Sequence, residues 1–195
     1  GVGQFCTNPG LIFVPEVLAD RFAVAVGEKM QAVAQAPMLH EGIAKTYYAA
    51  LRRLGDNGNL TWVTVSNTEE IILGSPAFAR VAADNWIKND DFQQEVFGPF
   101  GIMVTYHDIS ELRQAVEVLH GQLTCTVWAE EAEISSEQAL LSQIEEKCGR
   151  LLFKGAPTGV EVGYAMQHGG PYPSTTDSRS TSVGASHVAS RKIRI

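Results

Sequence analysis

Short runs of β-branched and aromatic residues alternate along the chain with longer stretches in which apolar residues recur every three or four positions. The short runs are typical of strands, and the longer stretches are typical of amphipathic helices. The pattern predicts five strands, at residues 11–14, 60–65, 100–106, 123–129 and 151–153.

Four helices are predicted between these strands. Their expected N-caps are Asp20 for the first, Ser110 for the third and Ser135 or Ser136 for the fourth. Their apolar faces are formed by Phe22, Val26, Met30 and Val33; by Ile43, Tyr47, Leu51 and Leu54; by Leu112, Val116 and Leu119; and by Leu141, Ile144 and Cys148.

This alternation of strand and helix is typical of parallel crossover units. We therefore expect an α/β fold built as a three-layer, open parallel sheet with helices on both faces, most clearly over residues 100–153. No internal repeat or linker interrupts the pattern, which predicts one domain. After residue 155, Gly, Pro, Ser and Thr dominate, and residues 169–181 are expected to form a loop or an extended connection.

The composition narrows the functional classes. The 195 residues are 45% hydrophobic and 19% charged, with a formal net charge of −7, which argues against nucleic acid or an anionic membrane surface as the main partner. No apolar run approaches the length of a membrane span. The three cysteines are an odd number without metal-ligand spacing, so we expect a reducing, cytoplasmic environment and no metal site.

Cys6 lies among three glycines and a proline in the first ten residues, Gly-Val-Gly-Gln-Phe-Cys-Thr-Asn-Pro-Gly. Such a segment predicts a tight turn in which the thiolate serves as a nucleophile and the Cys6 backbone amide donates to an oxyanion. The alternative is a small buried cysteine beside the first strand, which composition alone favours. Cys125, in an alternating strand, and Cys148, on a helix face, are both predicted to lie in the core.

Residues 95–99, Glu-Val-Phe-Gly-Pro, immediately precede the predicted strand at 100–106. Loops at strand ends carry ligand-binding groups in α/β sheets. Here the Glu95 carboxylate can accept two sugar hydroxyls, and the Phe97 ring can pack on a flat ring. The alternative, equally open on these residues alone, is a surface glutamate and a core phenylalanine that flank a turn.

His168 is followed by Gly-Gly-Pro-Tyr-Pro and a polar loop. It is a candidate general base, although a histidine that hydrogen-bonds the backbone of its own loop is the favoured interpretation. The other four histidines show no metal-ligand spacing. Because no glycine-rich phosphate loop occurs, the main binding fold of any dinucleotide is expected to lie outside this chain.

Two of these segments carry a resemblance to a known family. The residues from Gly3 to Thr7 resemble the G-Q-x-C-T segment around the catalytic cysteine of aldehyde dehydrogenases, and residues 95–99 resemble their E-x-F-G-P motif. The resemblance covers about the first 185 residues. Residues 6–10 and 155–184 are similar to the branch that contains 2-oxoglutarate semialdehyde (2,5-dioxovalerate) and NADP-dependent fatty aldehyde dehydrogenases.

The resemblance implies oxidation of a small aldehyde to a carboxylic acid with NADP or NAD as the cofactor. Cys6 would form a thiohemiacetal and then a thioester, which water hydrolyses. Glu95 would hold the nicotinamide ribose and Phe97 would place the ring. Phe5, Thr7 and Arg179 are the expected substrate-binding residues; for Arg179 the alternative is a surface pair with Asp177.

The resemblance also predicts the domain organisation. Residues 1–185 would form a partial catalytic domain, and residues 186–195 a basic, poorly ordered tail. In the family, the nucleotide-binding domain, the general-base glutamate and the oxyanion-hole asparagine precede the catalytic cysteine, but only five residues precede Cys6. We therefore expect little or no activity from this chain alone, and a homo-oligomer is left open.

Two alternatives come from other functional classes. The first is a thiol hydrolase or acyltransferase in which His168 or His120 serves Cys6 as the base, since a cysteine–histidine pair forms in space and not in sequence. The second is a non-catalytic fragment that folds without a partner domain and associates through an exposed apolar face.

Overall fold

The computed structural model describes residues 2–65, 72–157, 166 and 168–176 of the chain. The chain divides into two compact units, Gly1–Ala115 and Val116–Ile195. The prediction of one domain over residues 1–185 stays a prediction, and the proposed tail at 186–195 lies outside the described residues. None of the described helices is both long enough and apolar enough to cross a bilayer.

The first unit is built around a four-stranded sheet. Its elements are β1 (Leu11–Pro15), α1 (Glu16–Gln31), β2 (Ala36–Pro37), α2 (Glu41–Gly55), β3 (Thr61–Val65), β4 (Leu73–Gly74), β5 (Ala77–Ala82), α3 (Ala83–Lys88), a 3₁₀ turn (Asp90–Gln93), β6 (Phe100–Tyr106) and the start of α4 (Ile109–Val118). The strand order is β1-β6-β5-β3, and β2 pairs with β4 in a small separate sheet.

The predicted α/β class is confirmed, but the sheet is mixed and not wholly parallel. β1 and β5 both run parallel to β6, whereas β3 runs antiparallel to β5. Residues 66–76, which connect β3 to β5, are at the lower limit of the crossover of about a dozen residues that a parallel pair requires. The short connection therefore favours the antiparallel edge.

Helices cover both faces of this sheet, as predicted. Successive side chains of a strand point to opposite faces. Val14 of β1 joins Phe78 and Met103 in a buried cluster against α1. The neighbouring Phe13 meets Trp86 of α3 edge-on, with ring centroids 5.3 Å apart. The core of the first unit thus lies on both sides of the sheet.

The first helix starts earlier than predicted. α1 begins at Glu16, about one turn before the expected cap Asp20. The Asp20 carboxylate instead accepts a hydrogen bond from Arg80 of β5 at 2.6 Å, and Arg80 also pairs with Glu16. A partner 60 positions away in the sequence therefore replaces the predicted local capping role.

The third helix is also capped by a different residue. Ser110 lies inside α4, and the Asp108 carboxylate accepts the Glu111 amide at 2.9 Å in the capping position. Aspartate and serine are about equally good caps, so composition alone does not separate them.

The second unit contains the end of α4, β7 (Gln122–Val127), α5 (Glu131–Ser136), α6 (Gln138–Lys147) and β8 (Cys148–Phe153). β7 and β8 pair in parallel across α5 and α6, which confirms this part of the predicted crossover pattern. These two strands form a two-stranded sheet.

The fourth predicted helix is two helices. α5 begins at Glu131 behind a capping box of Glu130 and Glu133, so neither Ser135 nor Ser136 is the N-cap. Cys148 is the first residue of β8 and does not extend the helix face. It is buried as predicted, whereas Cys125 is half-buried.

Candidate active site

Cys6 lies in a tight turn that precedes β1. The Asn8 amide donates to the Phe5 carbonyl at 3.0 Å, and the Phe5 amide donates to the Gly3 carbonyl at 2.9 Å. The Cys6 side chain is exposed. The predicted turn is therefore confirmed, and the alternative of a buried thiol is wrong.

The turn lies directly against the loop at residues 95–99. Gly3 has a φ of +65°, and a Cβ at this position would lie 2.3 Å from the Gly98 carbonyl oxygen and 2.6 Å from the Pro99 Cα. Only glycine fits such a close approach of two backbones. The Asn8 side-chain amide also lies 3.5 Å from the Gly98 carbonyl oxygen, to which it donates. Two motifs that are about 90 residues apart in sequence thus meet in space.

The sheet explains why these motifs meet. The Cys6 turn leads into β1 and the 95–99 loop leads into β6, and these strands are parallel neighbours with Leu11 opposite Ile102. Segments that enter parallel neighbours lie at the same edge of a sheet. The candidate site is therefore at the amino-terminal edge of these strands.

Tyr47 of α2 packs against the 95–99 loop. A Cβ on Gly98 would lie 2.5 Å from the Tyr47 ring, so the ring packs directly on the Gly98 backbone. The Tyr47 hydroxyl donates to the Ser75 carbonyl at 2.7 Å and lies 3.4 Å from the Pro99 carbonyl oxygen. Burial raises the pKa of the Tyr47 hydroxyl above its ordinary value, and the neighbouring Tyr48 adds to this effect.

Glu95 and Phe97 are both on the surface of this loop. Glu95 is exposed, and 37% of the Phe97 surface is accessible, which contradicts the alternative of a core phenylalanine. The Phe97 ring is one wall of a shallow, mainly apolar depression of about 200 Å³. The other lining residues are His40, Gly42, Ile43 and Thr46, at the start of α2.

The predicted substrate-binding residues differ in how much of each side chain is exposed. Phe5 is 48% exposed beside Cys6, whereas Thr7 is only 4% exposed. The Thr7 hydroxyl is buried and has no hydrogen-bond partner in the described part of the chain. Arg179 and its alternative partner Asp177 lie outside the described residues.

The two histidines of the thiol-hydrolase alternative, His120 and His168, are both in the second unit. The segment after His168 packs onto the starts of β7 and β8: a Cβ on Gly149 would overlap the Gly169 carbonyl, and one on Gly170 would lie 2.2 Å from the Gln122 carbonyl oxygen. Among the described residues, no cluster of three or more His, Cys, Asp or Glu side chains is suited to hold a metal ion.

Three supporting residues were missed from the sequence. Gln4 accepts the Leu39 amide, His40 caps α2 through the Ile43 amide, and Tyr47 supports Gly98. Histidine is not a typical N-cap, and the partners of Gln4 and Tyr47 are distant in sequence. A weak signal existed for Tyr47 alone, which the helical period places on the buried face of α2.

The chain is similar in sequence to two curated proteins. The chain is 37% identical over 191 residues to "Alpha-ketoglutaric semialdehyde dehydrogenase" of Acinetobacter baylyi and 36% identical over 192 residues to "Alpha-ketoglutaric semialdehyde dehydrogenase 2" of Azospirillum brasilense. The predicted resemblance to aldehyde dehydrogenases is confirmed. Each alignment covers 96% of this chain and 36% of the relative, so the chain spans about a third of the length of the curated relatives it matches. No family model matches the chain.

Solved structures show the same fold at low identity. A mutant of proline utilization A from Bradyrhizobium japonicum superposes with a TM-score of 0.75 at 20% identity, over 96% of this chain and 19% of that one. Glyceraldehyde-3-phosphate dehydrogenase GapN from Methanocaldococcus jannaschii, complexed with NADP, gives a TM-score of 0.70 at 18% identity, over 87% and 36%. At these identities the likeness to these two structures concerns the fold alone.

Proposed function

We propose that Cys6 is the nucleophile of an NAD(P)-dependent aldehyde dehydrogenase, which oxidises an aldehyde to a carboxylic acid. The observation that carries this proposal is the contact between the Cys6 turn and the 95–99 loop, made by Gly3 against Gly98 and Pro99. Because the chain spans about a third of its curated relatives, the activity is proposed for the whole protein. Little or no activity from this chain alone stays a prediction.

The exposed position of Cys6 suits a nucleophile that an aldehyde must reach. The thiolate sulfur forms a bond to the carbonyl carbon, and the carbonyl electron pair moves to the oxygen to give a thiohemiacetal oxyanion. We propose that the Cys6 backbone amide, in the turn, donates to this oxyanion. Loss of a hydride then leaves a thioester on Cys6, and water releases the acid and restores the thiol.

The 95–99 loop fits part of a nicotinamide cofactor, NADP or NAD, which when bound supplies the acceptor for the hydride. The exposed Glu95 carboxylate would accept ribose hydroxyls, and the Phe97 ring offers an apolar face for a flat ring. The depression beside Phe97, about 200 Å³, is smaller than the roughly 300–1,000 Å³ of complete ligand pockets. These residues would therefore hold only one end of a dinucleotide.

We propose α-ketoglutaric semialdehyde as the aldehyde, because both curated relatives carry this substrate in their names. Phe5, exposed beside Cys6, would form a wall for the aldehyde. The Thr7 side chain is buried, so its proposed substrate contact is restricted to the backbone. Arg179 is proposed to meet the carboxylate of the substrate.

The direct test is Cys6→Ser in the whole protein, with the formation of reduced cofactor from α-ketoglutaric semialdehyde as the readout. We expect kcat to fall at least about 1,000-fold, since removal of a covalent nucleophile costs several orders of magnitude. Cys125→Ser is the matched control and should leave kcat within about threefold. Wild-type turnover in the Cys6→Ser protein would contradict the proposal that Cys6 is the nucleophile.

We also propose a cytoplasmic location for the whole protein, which is supported by three free cysteines. A reducing compartment keeps such thiols unpaired. The homo-oligomer that the resemblance leaves open stays a prediction, and sedimentation of the whole protein would measure it.

A further inference from the structure

The side chain of Gln4 connects the Cys6 turn to the segment that leads into α2. Its Oε1 accepts a hydrogen bond from the Leu39 amide at 3.0 Å, 35 positions along the sequence. A backbone N–H requires an acceptor, so this contact determines which end of the Gln4 amide is the oxygen. The Nε2 is buried and has no hydrogen-bond partner in the part of the chain that the structure describes. The bond to Leu39 therefore orients the Gln4 side chain.

Gly3 and Asn8 anchor the turn to the 95–99 loop. Gly3 packs on the backbone of Gly98 and Pro99, and Asn8 donates to the Gly98 carbonyl. These contacts hold Cys6 against the 95–99 loop. Gln4 bonds instead to Leu39, in the segment before α2. The Val2 side chain lies beside Gly74, close to Met38 of the same segment. Gln4 therefore adds a specific hydrogen bond to a contact that is otherwise only van der Waals packing.

The segment that Gln4 holds also forms a wall of the depression beside Phe97. Leu39 is followed by His40, whose Nδ1 accepts the Ile43 amide at 3.3 Å and so caps α2. His40 and Ile43 line the depression together with Phe97. A displacement of Leu39 would therefore displace His40 and change the shape of this wall.

We infer that Gln4 is a positioning residue, which sets the place of the Cys6 thiol relative to the depression beside Phe97 by holding the Leu39 amide. The inference rests on the proposed function, in which Cys6 is the nucleophile and Phe97 packs on the nicotinamide ring. The hydrogen bond and its effect on Cys6 are measurable without any catalytic assay, so the two proposals fail separately.

The experiment compares Gln4→Met, Gln4→Glu and Gln138→Met in this chain. Gln4→Met keeps a side chain of similar length but removes the acceptor, and Gln4→Glu keeps an acceptor oxygen for Leu39. Gln138, which is exposed and donates to the Ile134 carbonyl, is the matched control in the second unit. Amide hydrogen exchange of Leu39 is measured against that of Met38, whose amide bonds to the Ile72 carbonyl at 2.9 Å and not to Gln4.

The second readout is the rate of iodoacetamide labelling at each cysteine, resolved by peptide mass. In Gln4→Met we expect Leu39 exchange to rise about fivefold, the usual effect of losing one hydrogen bond. Met38 exchange should not change, and Cys6 labelling should change at least about threefold, with Cys125 and Cys148 constant. Gln4→Glu should retain the protection of Leu39, and Gln138→Met should resemble the wild type.

Two results would overturn the inference. In the first, Gln4→Met leaves either Leu39 exchange or Cys6 labelling at the wild-type rate. In the second, it accelerates Met38 exchange and the labelling of all three cysteines equally, which is general destabilisation and not a change of position. Neither result bears on whether Cys6→Ser inactivates the whole protein, so the proposed function would be judged by that experiment alone.

Discussion

Two regions of the chain carry cysteines, the turn before β1 and the two-stranded sheet of the second unit, and they give the same side chain opposite properties. Cys6 is exposed in a turn whose backbone is held by a distant loop. Cys148 is buried at the start of β8, and Cys125 is half-buried in β7. Reactivity in this chain should therefore depend on local backbone structure, since regular strands protect a thiol that a turn exposes.

The two thiols of the second unit also affect each other. Interaction with the Cys148 thiol, together with burial, raises the pKa of the Cys125 thiol, and interaction with Cys125 lowers the pKa of Cys148. Cys125 therefore stays in its neutral, unreactive form at pH values where an ordinary thiol ionises. Cys148 ionises more readily, but burial limits its access to reagents.

The largest predicted effect is a difference in labelling rate between the two regions. We expect iodoacetamide to modify Cys6 about 100-fold faster than Cys148 or more, because a buried thiol reacts only after a local opening. Site-resolved peptide mass spectrometry at neutral pH measures this ratio. Equal rates, or slower labelling of Cys6, would remove the distinction between the two regions.

The backbone contact that holds the Cys6 turn gives the next largest effect. Gly3→Ala places a Cβ 2.3 Å from the Gly98 carbonyl oxygen at a positive φ, and should destabilise the chain by about 2–4 kcal/mol. Gly10→Ala is the control in the same segment, because nothing lies within 4 Å of its Cβ position. It should change the free energy of unfolding by no more than about 0.5 kcal/mol in urea denaturation. Similar values for both variants would mean that the turn is not packed on Gly98.

Tyr47 provides a smaller effect that depends on pH. Because its pKa is raised in the folded state, the unfolded state loses this proton first as the pH rises above about 10. The stabilising contribution is complete below that pH and decreases above it. Urea unfolding between about pH 8 and pH 11 measures this slope.

Tyr47→Phe is the matched variant for this prediction. It removes the donor to the Ser75 carbonyl and should cost about 1–2 kcal/mol at neutral pH. Its stability should also decrease less steeply than that of the wild type above about pH 10. An unchanged slope would show that Tyr47 does not carry the alkaline sensitivity.

The smallest predicted effect is the change in the free energy of unfolding when a cysteine of either region is replaced by serine. Cys148→Ser puts a hydroxyl in a buried position and should cost about 1 kcal/mol or more in urea unfolding. Cys6→Ser, at an exposed position, should stay within about 0.5 kcal/mol of the wild type. The reverse order would mean that Cys6 has a packing role and that the second unit does not depend on its thiols.

The local elements were largely predictable from the sequence, whereas the contacts between them were not. The strand at Phe100–Tyr106 was predicted with its observed bounds, because its residues are almost all apolar or β-branched. The strand Ala77–Ala82 was missed, although it lies between β3 and β6. Three of its six residues are alanine and one is Arg80, a composition that does not indicate a strand. Burial against neighbouring strands determines this element.

In the candidate site, too, the local segments were predictable from the sequence and the contacts between them were not. The glycine-rich turn at Cys6 and the loop at Glu95 were both found from residue types alone. Their contact depends on β1 and β6 being parallel neighbours, which is a property of the whole sheet. The role of Gln4 depends on Leu39, and no local pattern indicates that pair. The residue types of the two motifs identified the participants, and the topology of the sheet brought them together.

The most direct measurement of the central proposal is acid trapping of the intermediate in the whole protein. The enzyme is mixed with α-ketoglutaric semialdehyde and oxidised cofactor, quenched in acid within one turnover, and digested for peptide mass spectrometry. The proposal predicts a thioester of the substrate acyl group on Cys6, with Cys125 and Cys148 unmodified and no adduct when the cofactor is left out. An acyl group on another residue, or turnover without any adduct on Cys6, would contradict it.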